Sequence, residues 1–145
     1  MKTIEIDSRL KEDTIHLGFI NGQALLLMNN SLVPWFIVLP NTSETELYKL
    51  SGSERRVLEE NIDMLSEFLL DNFVVDKLNV AAIGNVVSQM HVHVIGRHKK
   101  DFCWPGVVWG RSDRKPYKES ELTSILTLAV QKLGDSFTSC RPTAG

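Results

Sequence analysis

The amino-acid sequence predicts an α+β domain, with an antiparallel sheet of about five strands and helices packed on one face. Strand-like segments form the middle of the chain, helical periodicity is confined to separate segments, and the two do not alternate as in a parallel β-α-β fold. The length of 145 residues suits one domain with a substantial core. We expect this single domain to span residues 1–145, with a core at about 14–134 and a flexible tail at 135–145.

Three strand-like segments lie in the first 40 residues, after a charged stretch without clear pattern that ends near Asp13. Residues 14–20 and 23–29 flank an Asn-Gly turn, and the second segment is aliphatic enough to be buried on both faces. Residues 34–40 form a third strand bracketed by prolines. The short connections predict antiparallel neighbours.

Two Ser-x-x-Glu sequences, at residues 43–46 and 51–54, have the spacing of a capping box and predict two helix starts. The first helix should be short, and the second should continue to about Asn72 with an apolar stripe facing the core. A last helix should have Ser120 as its N-cap and stop at Gly134.

Composition argues against several classes of function. The formal net charge is −2, so no bulk basic field would attract nucleic acid or an anionic membrane. Two scattered cysteines indicate a reduced, cytoplasmic protein, and the acidic N-terminus lacks the apolar run of a signal peptide. The longest apolar stretch, residues 32–39, is interrupted by Pro34 and is too short to cross a bilayer.

Residues 77–83 predict a fourth strand, and residues 89–96 predict a fifth, because polar and apolar side chains alternate along the latter. Side chains two apart on a strand point the same way, so Gln89, His91 and His93 should share one face while the intervening apolar residues join the core. An exposed polar face is the alternative, although such faces more often carry Thr, Lys or Glu.

Two imidazoles on one strand face could serve three purposes. If one ring nitrogen of a neutral imidazole donates to a backbone carbonyl, the other is free to attack phosphorus, and the second His could stabilise charge or handle a proton at the leaving group. The other two purposes are metal binding by His91, His93 and a third ligand, and hydrogen bonding to a ligand without chemistry.

The segment at residues 84–88 could hold a phosphate. Gly84 permits close backbone approach, and successive N–H groups in a turn form an anion-binding concavity. A Gly-Asn pair also occurs in plain turns, so its proximity to His91 in the chain is what favours a site.

Residues 84–97 resemble the motif region of the histidine triad (HIT) family of nucleotide hydrolases and transferases. That family's motif is His-φ-His-φ-His-φ-φ, where φ is apolar, and a Gly-Gln-x-Val segment precedes it. His91 matches the central His, which is the family's nucleophile, and His93 matches the last. Gln89 stands in place of the first His.

The resemblance, which covers roughly residues 14–110, also implies binding residues. The backbone of Gly84, Asn85, Val86 and Val87 would hold phosphate, with Asn85 where the family has Gln.

Two asparagines would bind other parts of the substrate. Asn29 is similar to the residue that binds the ribose hydroxyls, and Asn79 falls near the family's Asn or Gln on the leaving side of the phosphate chain.

Two departures from the family pattern bear on catalysis. Where the family has Pro-Gly-His this chain has Pro34-Trp35-Phe36, so a supporting His is missing. Gln89 can donate and accept hydrogen bonds but cannot shuttle a proton. The loop at residues 104–110 resembles that of a bacterial subgroup similar to diadenosine polyphosphate hydrolases, and it either covers the sheet edge or selects the base or leaving group.

Other polar residues near the motif give weaker signals. His98 and Cys103 match no zinc-binding spacing, and Arg97 and Arg111 could either meet phosphate or be solvated.

The resemblance implies a homodimer in which two sheets continue as one, acting on a purine nucleotide derivative of the dinucleoside polyphosphate or nucleoside phosphoramidate type. His91 would form a nucleotidyl-histidine intermediate, a covalent step for which no metal or other cofactor is required. One alternative is a nucleotide-binding module with weak or no turnover, favoured by the missing imidazoles, and the other is a His-based metal hydrolase.

Overall fold

The computed structural model describes residues 4–142, which form a six-stranded antiparallel sheet and three α-helices. Residues 1–3 of the acidic N-terminus and residues 143–145 of the expected flexible tail lie outside the described residues. The strands lie in the order β4-β5-β3-β2-β1-β6. The elements are α1 (Ser8–Asp13), β1 (Thr14–Ile20), β2 (Gln23–Met28), β3 (Trp35–Leu39), α2 (Gly52–Asn72), β4 (Lys77–Ala81), β5 (Val92–Arg97), α3 (Glu119–Leu133) and β6 (Phe137–Ser139).

The predicted α+β architecture is confirmed, but the described chain has six strands rather than five. The additional strand, β6, lies in the tail that was expected to be flexible and pairs with β1. Its Phe137 is buried, and Gly18 opposite Ser139 lets the two backbones approach, because a Cβ at position 18 would collide with the Thr138 carbonyl. Three residues are too few for a periodic signal, so the sequence pattern could not reveal this strand.

The helix starts are only partly as predicted. The Ser51–Glu54 capping box is present and opens α2, which ends at Asn72 as expected. The equivalent box at residues 43–46 does not form, and that segment leads only into a single 3₁₀ turn at Leu47–Lys49. Helix α3 begins one residue before the predicted N-cap Ser120, and α1, six residues long, is too short to show helical periodicity.

The motif strand is shorter than predicted, because β5 begins at Val92 and not at residue 89. It lies inside the sheet between β3 and β4, and His93 pairs with Ile37 of β3. Gln89 and His91 therefore belong to the segment that leads into the strand.

The sheet separates two apolar clusters. Helices α2 and α3 pack on one face, where Met90, Val92 and Val94 join the core as the alternation predicted. The opposite face is covered by α1 and by the segment at residues 102–109. No helix among residues 4–142 has the length and apolarity needed to cross a bilayer.

Candidate active site

A cleft of about 430 Å³ opens on the face of the sheet opposite α2 and α3. This volume lies in the range of small-molecule sites. His91 and His93 line it together, and their ring centroids are 5.0 Å apart, so the structure brings these two predicted residues to one place. The other lining residues belong to α1, to the loop at residues 83–87 and to the segment at residues 108–114.

His91 has one ring nitrogen held by the main chain. Its Nδ1 lies 2.7 Å from the carbonyl oxygen of Gln89. A carbonyl can only accept a hydrogen bond, so Nδ1 carries the proton. In the neutral ring Nε2 therefore keeps a free lone pair, which is the condition that nucleophilic attack requires.

His93 has the opposite arrangement. The indole Nε1 of Trp35 donates to His93 Nδ1 at 2.9 Å, and because an indole N–H can only donate, His93 Nδ1 must accept. The proton of the neutral ring therefore sits on Nε2. Burial and, to a smaller extent, the neighbouring His91 lower the pKa of His93 to about 4. His93 is thus a neutral hydrogen-bond donor near pH 7.

This depressed pKa predicts a loss of stability in mild acid. The unfolded chain takes up a proton on this imidazole below pH ~6.5, whereas the folded ring, which is 5% exposed, does so only near pH 4. The free energy of unfolding should therefore fall by about 2 to 3 kcal/mol as the pH is lowered from 7 to 4.5. Urea unfolding at the two pH values measures this loss.

The matched variant is His93→Gln, whose side-chain oxygen can still accept from Trp35 but does not titrate. Burial also lowers the pKa of His16, so the contribution of His93 is the difference between the pH dependence of the wild type and that of the variant. Equal pH dependence in both proteins would contradict the prediction.

The predicted phosphate loop lies beside the two imidazoles. Gly84, Asn85, Val86 and Val87 all line the cleft, and Gly84 has a φ of +71°, a conformation that favours glycine. Within residues 4–142, the backbone N–H groups of residues 85–87 have no protein acceptor. Such a turn can present several N–H groups to an anion.

The sequence of this chain matches the HIT domain over residues 10–100. The chain belongs to the histidine triad family. Comparison with curated proteins finds no match.

Solved structures of HIT proteins are similar over nearly the whole chain. One from Marinobacter aquaeolei is 37% identical, with a TM-score of 0.85, covering 91% of this chain and 97% of that one. Another, from Bradyrhizobium japonicum, is 32% identical, with a TM-score of 0.84, covering 89% and 97%. A third, from Sinorhizobium meliloti, is 31% identical, with a TM-score of 0.85, covering 90% and 97%.

Gln89, at the first position of the HIT motif, does not line the cleft with His91 and His93. Its side-chain oxygen accepts from Asp7 N at 2.8 Å, and its side-chain nitrogen donates to the Glu5 carbonyl at 2.8 Å. Its amide binds the N-terminal segment, which packs on the same face of the sheet as the cleft, so Gln89 points toward that face but does not contact the cleft itself. Only its main-chain carbonyl acts on the site, through His91.

The side chains of the two asparagines expected to contact substrate form hydrogen bonds outside the cleft. The side-chain oxygen of Asn29 accepts from Tyr117 N at 2.9 Å, and that of Asn79 accepts from Arg97 at 3.1 Å. Neither residue lines the cleft. Asn30 lies at the cleft instead of Asn29, although its own amide is bonded to the main chain of Asp113 and Lys115.

Trp35 occupies the stretch where the HIT pattern has a supporting His. It lies in β3, next to β5, and its indole reaches His93 across the two strands. The missing His was evident from the sequence. The hydrogen bond from Trp35 to His93 was not, because the two residues lie 58 positions apart in the chain.

Three arginines line the cleft, although Arg9 is paired with Asp7 at 3.2 Å and Arg114 with Asp13 at 3.4 Å. Arg9, Arg111 and Arg114 line it, and the carboxylates of Asp13 and Asp113 lie among them. Arg9 donates to the Val86 carbonyl at 2.7 Å, which ties α1 to the phosphate loop. Sequence reasoning missed Arg9 and Arg114, because neither lies near the motif in the chain.

The loop at residues 104–110 forms one wall of the cleft. The Trp109 ring centroid lies 5.3 Å from that of His93 and 6.1 Å from that of Trp35. Trp109 Nε1 is buried without a hydrogen-bond partner among the described residues. This loop therefore borders the imidazoles and is not only a cover for the sheet edge.

The base of this loop is fixed by Arg97, which neither meets the cleft nor is solvated. Arg97 is 2% exposed, and it forms an ion pair with buried Asp101 at 2.6 Å and donates to the Gly106 carbonyl at 2.8 Å. Burial alone would raise the pKa of Asp101, but hydrogen bonds from Arg97 and from the N–H groups of Cys103 and His98 lower it to about 2.

The residues considered for a metal site do not assemble into one. Residues 4–142 contain no group of three His, Cys, Asp or Glu side chains placed to hold an ion. His98 Nδ1 accepts from Lys100 N, and Cys103 lies near Arg97.

Proposed function

We propose that this HIT protein is a nucleotidyl hydrolase or transferase that cleaves at the α-phosphate of a purine nucleotide derivative through a nucleotidyl-His91 intermediate. The observation that carries the proposal is the hydrogen bond from His91 Nδ1 to the Gln89 carbonyl, which leaves Nε2 unprotonated in the neutral ring. Candidate substrates are dinucleoside polyphosphates and nucleoside phosphoramidates.

The proposed reaction has two displacements at phosphorus. His91 Nε2 attacks the α-phosphorus, and the bond to the leaving group breaks with its electron pair remaining on that group. His93 Nε2–H and the N–H groups of residues 85–87 stabilise the phosphoryl oxygens. Water or another acceptor then attacks phosphorus, loses its proton to solvent, and releases His91.

The cleft also supports the other parts of the proposal. Arg9, Arg111 and Arg114 line the part of the cleft that would receive a phosphate chain, and Trp109 supplies an apolar wall beside His93. The covalent step uses side chains of this protein alone and requires no cofactor.

The experiment that tests this function is capture of the intermediate. Purified protein is mixed with a dinucleoside polyphosphate or a nucleoside phosphoramidate, quenched within a turnover, digested and analysed by mass spectrometry. We expect the mass of an adenylate on the peptide that contains His91. Release of AMP without any adduct, and with activity abolished by a chelator, would favour a metal hydrolase instead.

A nucleotide-binding module with weak or no turnover is the second candidate. The placement of Gln89 favours it, because the residue at the first motif position contacts the main chain of Glu5 and Asp7 and not the cleft. Tight nucleotide binding with no AMP release, unchanged by His91→Ala, would establish this candidate.

We also propose that two copies form a homodimer through β4. This strand is an edge of the sheet. Apolar side chains are exposed at Val80 on the strand, at Val74 in the connection before it and at Leu70 near the end of α2. An open edge with exposed apolar groups is suited to pairing with a second strand. Sedimentation should give twice the mass of 16.4 kDa, and Val80→Lys should shift it toward the monomer. A monomer at all concentrations would contradict the proposal.

A further inference from the structure

The protonation of the two ring nitrogens of His93 determines whether this residue can transfer a proton. Nδ1 accepts from the Trp35 indole at 2.9 Å, so Nε2 carries the only ring proton. Release of that proton would leave an imidazolate anion, which is not accessible near neutral pH. Formation of an imidazolium would place a proton on Nδ1, directly against the indole N–H. His93 can therefore donate a hydrogen bond but cannot transfer a proton.

No charged group that lines the cleft can donate a proton to the leaving group in place of His93. Arg9, Arg111 and Arg114 carry guanidinium groups, which donate hydrogen bonds but are not acids in proteins, and the carboxylates of Asp13 and Asp113 are acceptors when ionised.

The remaining polar groups do not supply an acid either, since the Ser112 hydroxyl and the side-chain amides that line the cleft are hydrogen-bond donors but not acids near pH 7. The His91 Nδ1 proton is donated to the Gln89 carbonyl, and the Gln89 side chain is bonded to the N-terminal segment. Trp109 Nε1 is a hydrogen-bond donor but not an acid.

We propose that this site cleaves only those bonds at the α-phosphorus whose leaving group departs as an anion without receiving a proton, and that Trp35 is the positioning residue that imposes this limit through His93. The inference rests on the proposed function and selects between its two substrate types. A phosphoanhydride fits, because a terminal phosphate has a second pKa of about 6 and leaves as a stable anion. An alkyl phosphoramidate does not fit, because its nitrogen must be protonated before it can leave as an amine.

The atoms balance without an acid in the permitted case. The bond from His91 Nε2 to phosphorus forms as the bridging phosphorus–oxygen bond breaks, and the electron pair stays on the departing phosphate. In the second step the attacking water loses its proton to bulk solvent. With an amine leaving group one proton is missing from the first step, and no described group in the cleft supplies it.

The first test compares leaving groups at constant nucleotide. Wild-type protein is mixed at pH 7.5 with diadenosine tetraphosphate, the p-nitrophenyl ester of AMP, or an alkyl phosphoramidate of AMP, and adenylation of His91 is followed in a single turnover. We expect adenylation by the first two and a rate at least about 100-fold lower for the third, since general acid catalysis contributes 10²–10⁴-fold. Comparable rates for all three would overturn the inference while leaving the proposed function intact. No adenylation by any of them would overturn both.

The second test examines Trp35 directly. Trp35→Phe keeps an aromatic ring in β3 but removes the donor to His93 Nδ1, so His93 should titrate at higher pH, and phosphoramidate cleavage should rise as the pH falls. Trp109→Phe is the matched control, because Trp109 contacts the same ring without donating to it, and the titration of His93 should stay as in the wild type. Nitrogen-15 NMR of the histidine rings reports both results.

If Trp35→Phe fails to fold, the NMR spectrum of the wild type still tests the protonation state of His93. We expect His93 with unprotonated Nδ1 and protonated Nε2 throughout pH 6–8. A protonated Nδ1 in that range, or phosphoramidate cleavage unchanged in a folded Trp35→Phe variant, would overturn the role assigned to Trp35.

Discussion

Replacing His91 with alanine should lower the rate of adenylate transfer by at least about 10⁴-fold, since loss of a catalytic nucleophile has effects of 10⁴ to 10⁶ in other enzymes. The side chain is 7% exposed at the cleft, and the Gln89 carbonyl fixes its proton on Nδ1. No other imidazole in the cleft can attack, because the Nδ1 lone pair of His93 is occupied by Trp35 and its Nε2 is protonated. Single-turnover kinetics with diadenosine tetraphosphate measure the loss.

His98→Ala is the control, since His98 lies outside the cleft and its Nδ1 accepts from Lys100 N. Its adenylation rate should match the wild type. Nucleotide affinity of the His91→Ala variant, measured by calorimetry, should remain within about tenfold, because the phosphate loop and arginines are unchanged. More than a tenth of the wild-type rate in this variant would show that His91 is not the nucleophile.

The features that sequence reasoning predicted correctly are those set by short-range pattern. Period-2 alternation placed His91 and His93 together, although the strand itself begins at Val92. The Ser51 capping box opens α2, and the Gly84 turn lies beside the imidazoles, because both depend on residues close in sequence.

The expected substrate contacts that the structure does not show involve polar side chains whose partners are distant in the chain. Gln89 bonds Asp7 across 82 positions, and Asn29 bonds Tyr117 across 88. An amide has donors and an acceptor that suit either substrate or main chain, and its sequence neighbours do not determine which it meets. Trp35 is the converse case, an apparently apolar core residue whose one N–H fixes the chemistry of His93.

Arg97 illustrates a third limit of prediction from the sequence. From sequence it could contact phosphate or solvent, yet it is buried and holds the base of the loop that carries Trp109. A buried arginine requires a buried acceptor set, and here Asp101 and Gly106 provide it only after the loop has folded back. The same ion pair leads to the second large effect expected for this protein.

Asp101→Asn should lower the free energy of unfolding by about 3–5 kcal/mol, because it leaves the Arg97 charge buried without its counter-ion. The two side chains are 2% and 0% exposed, and Asp101 also accepts from the N–H groups of Cys103 and Trp104. Urea unfolding at pH 7 gives the value.

Two further variants test whether this loss of stability is specific to the buried ion pair. Glu59→Gln breaks the exposed Arg55–Glu59 pair, whose side chains are 47% and 66% exposed, and should cost about 0.5 kcal/mol or less. In the double variant Arg97→Met with Asp101→Asn, much of the lost stability should return, because no unpaired charge remains in the interior and the amide oxygen still accepts from the main-chain N–H groups of Cys103 and Trp104. If Asp101→Asn costs no more than Glu59→Gln, the Arg97–Asp101 pair does not stabilise the fold. The wall of the cleft formed by Trp109 must then be held by apolar packing against Trp35 and His93 instead.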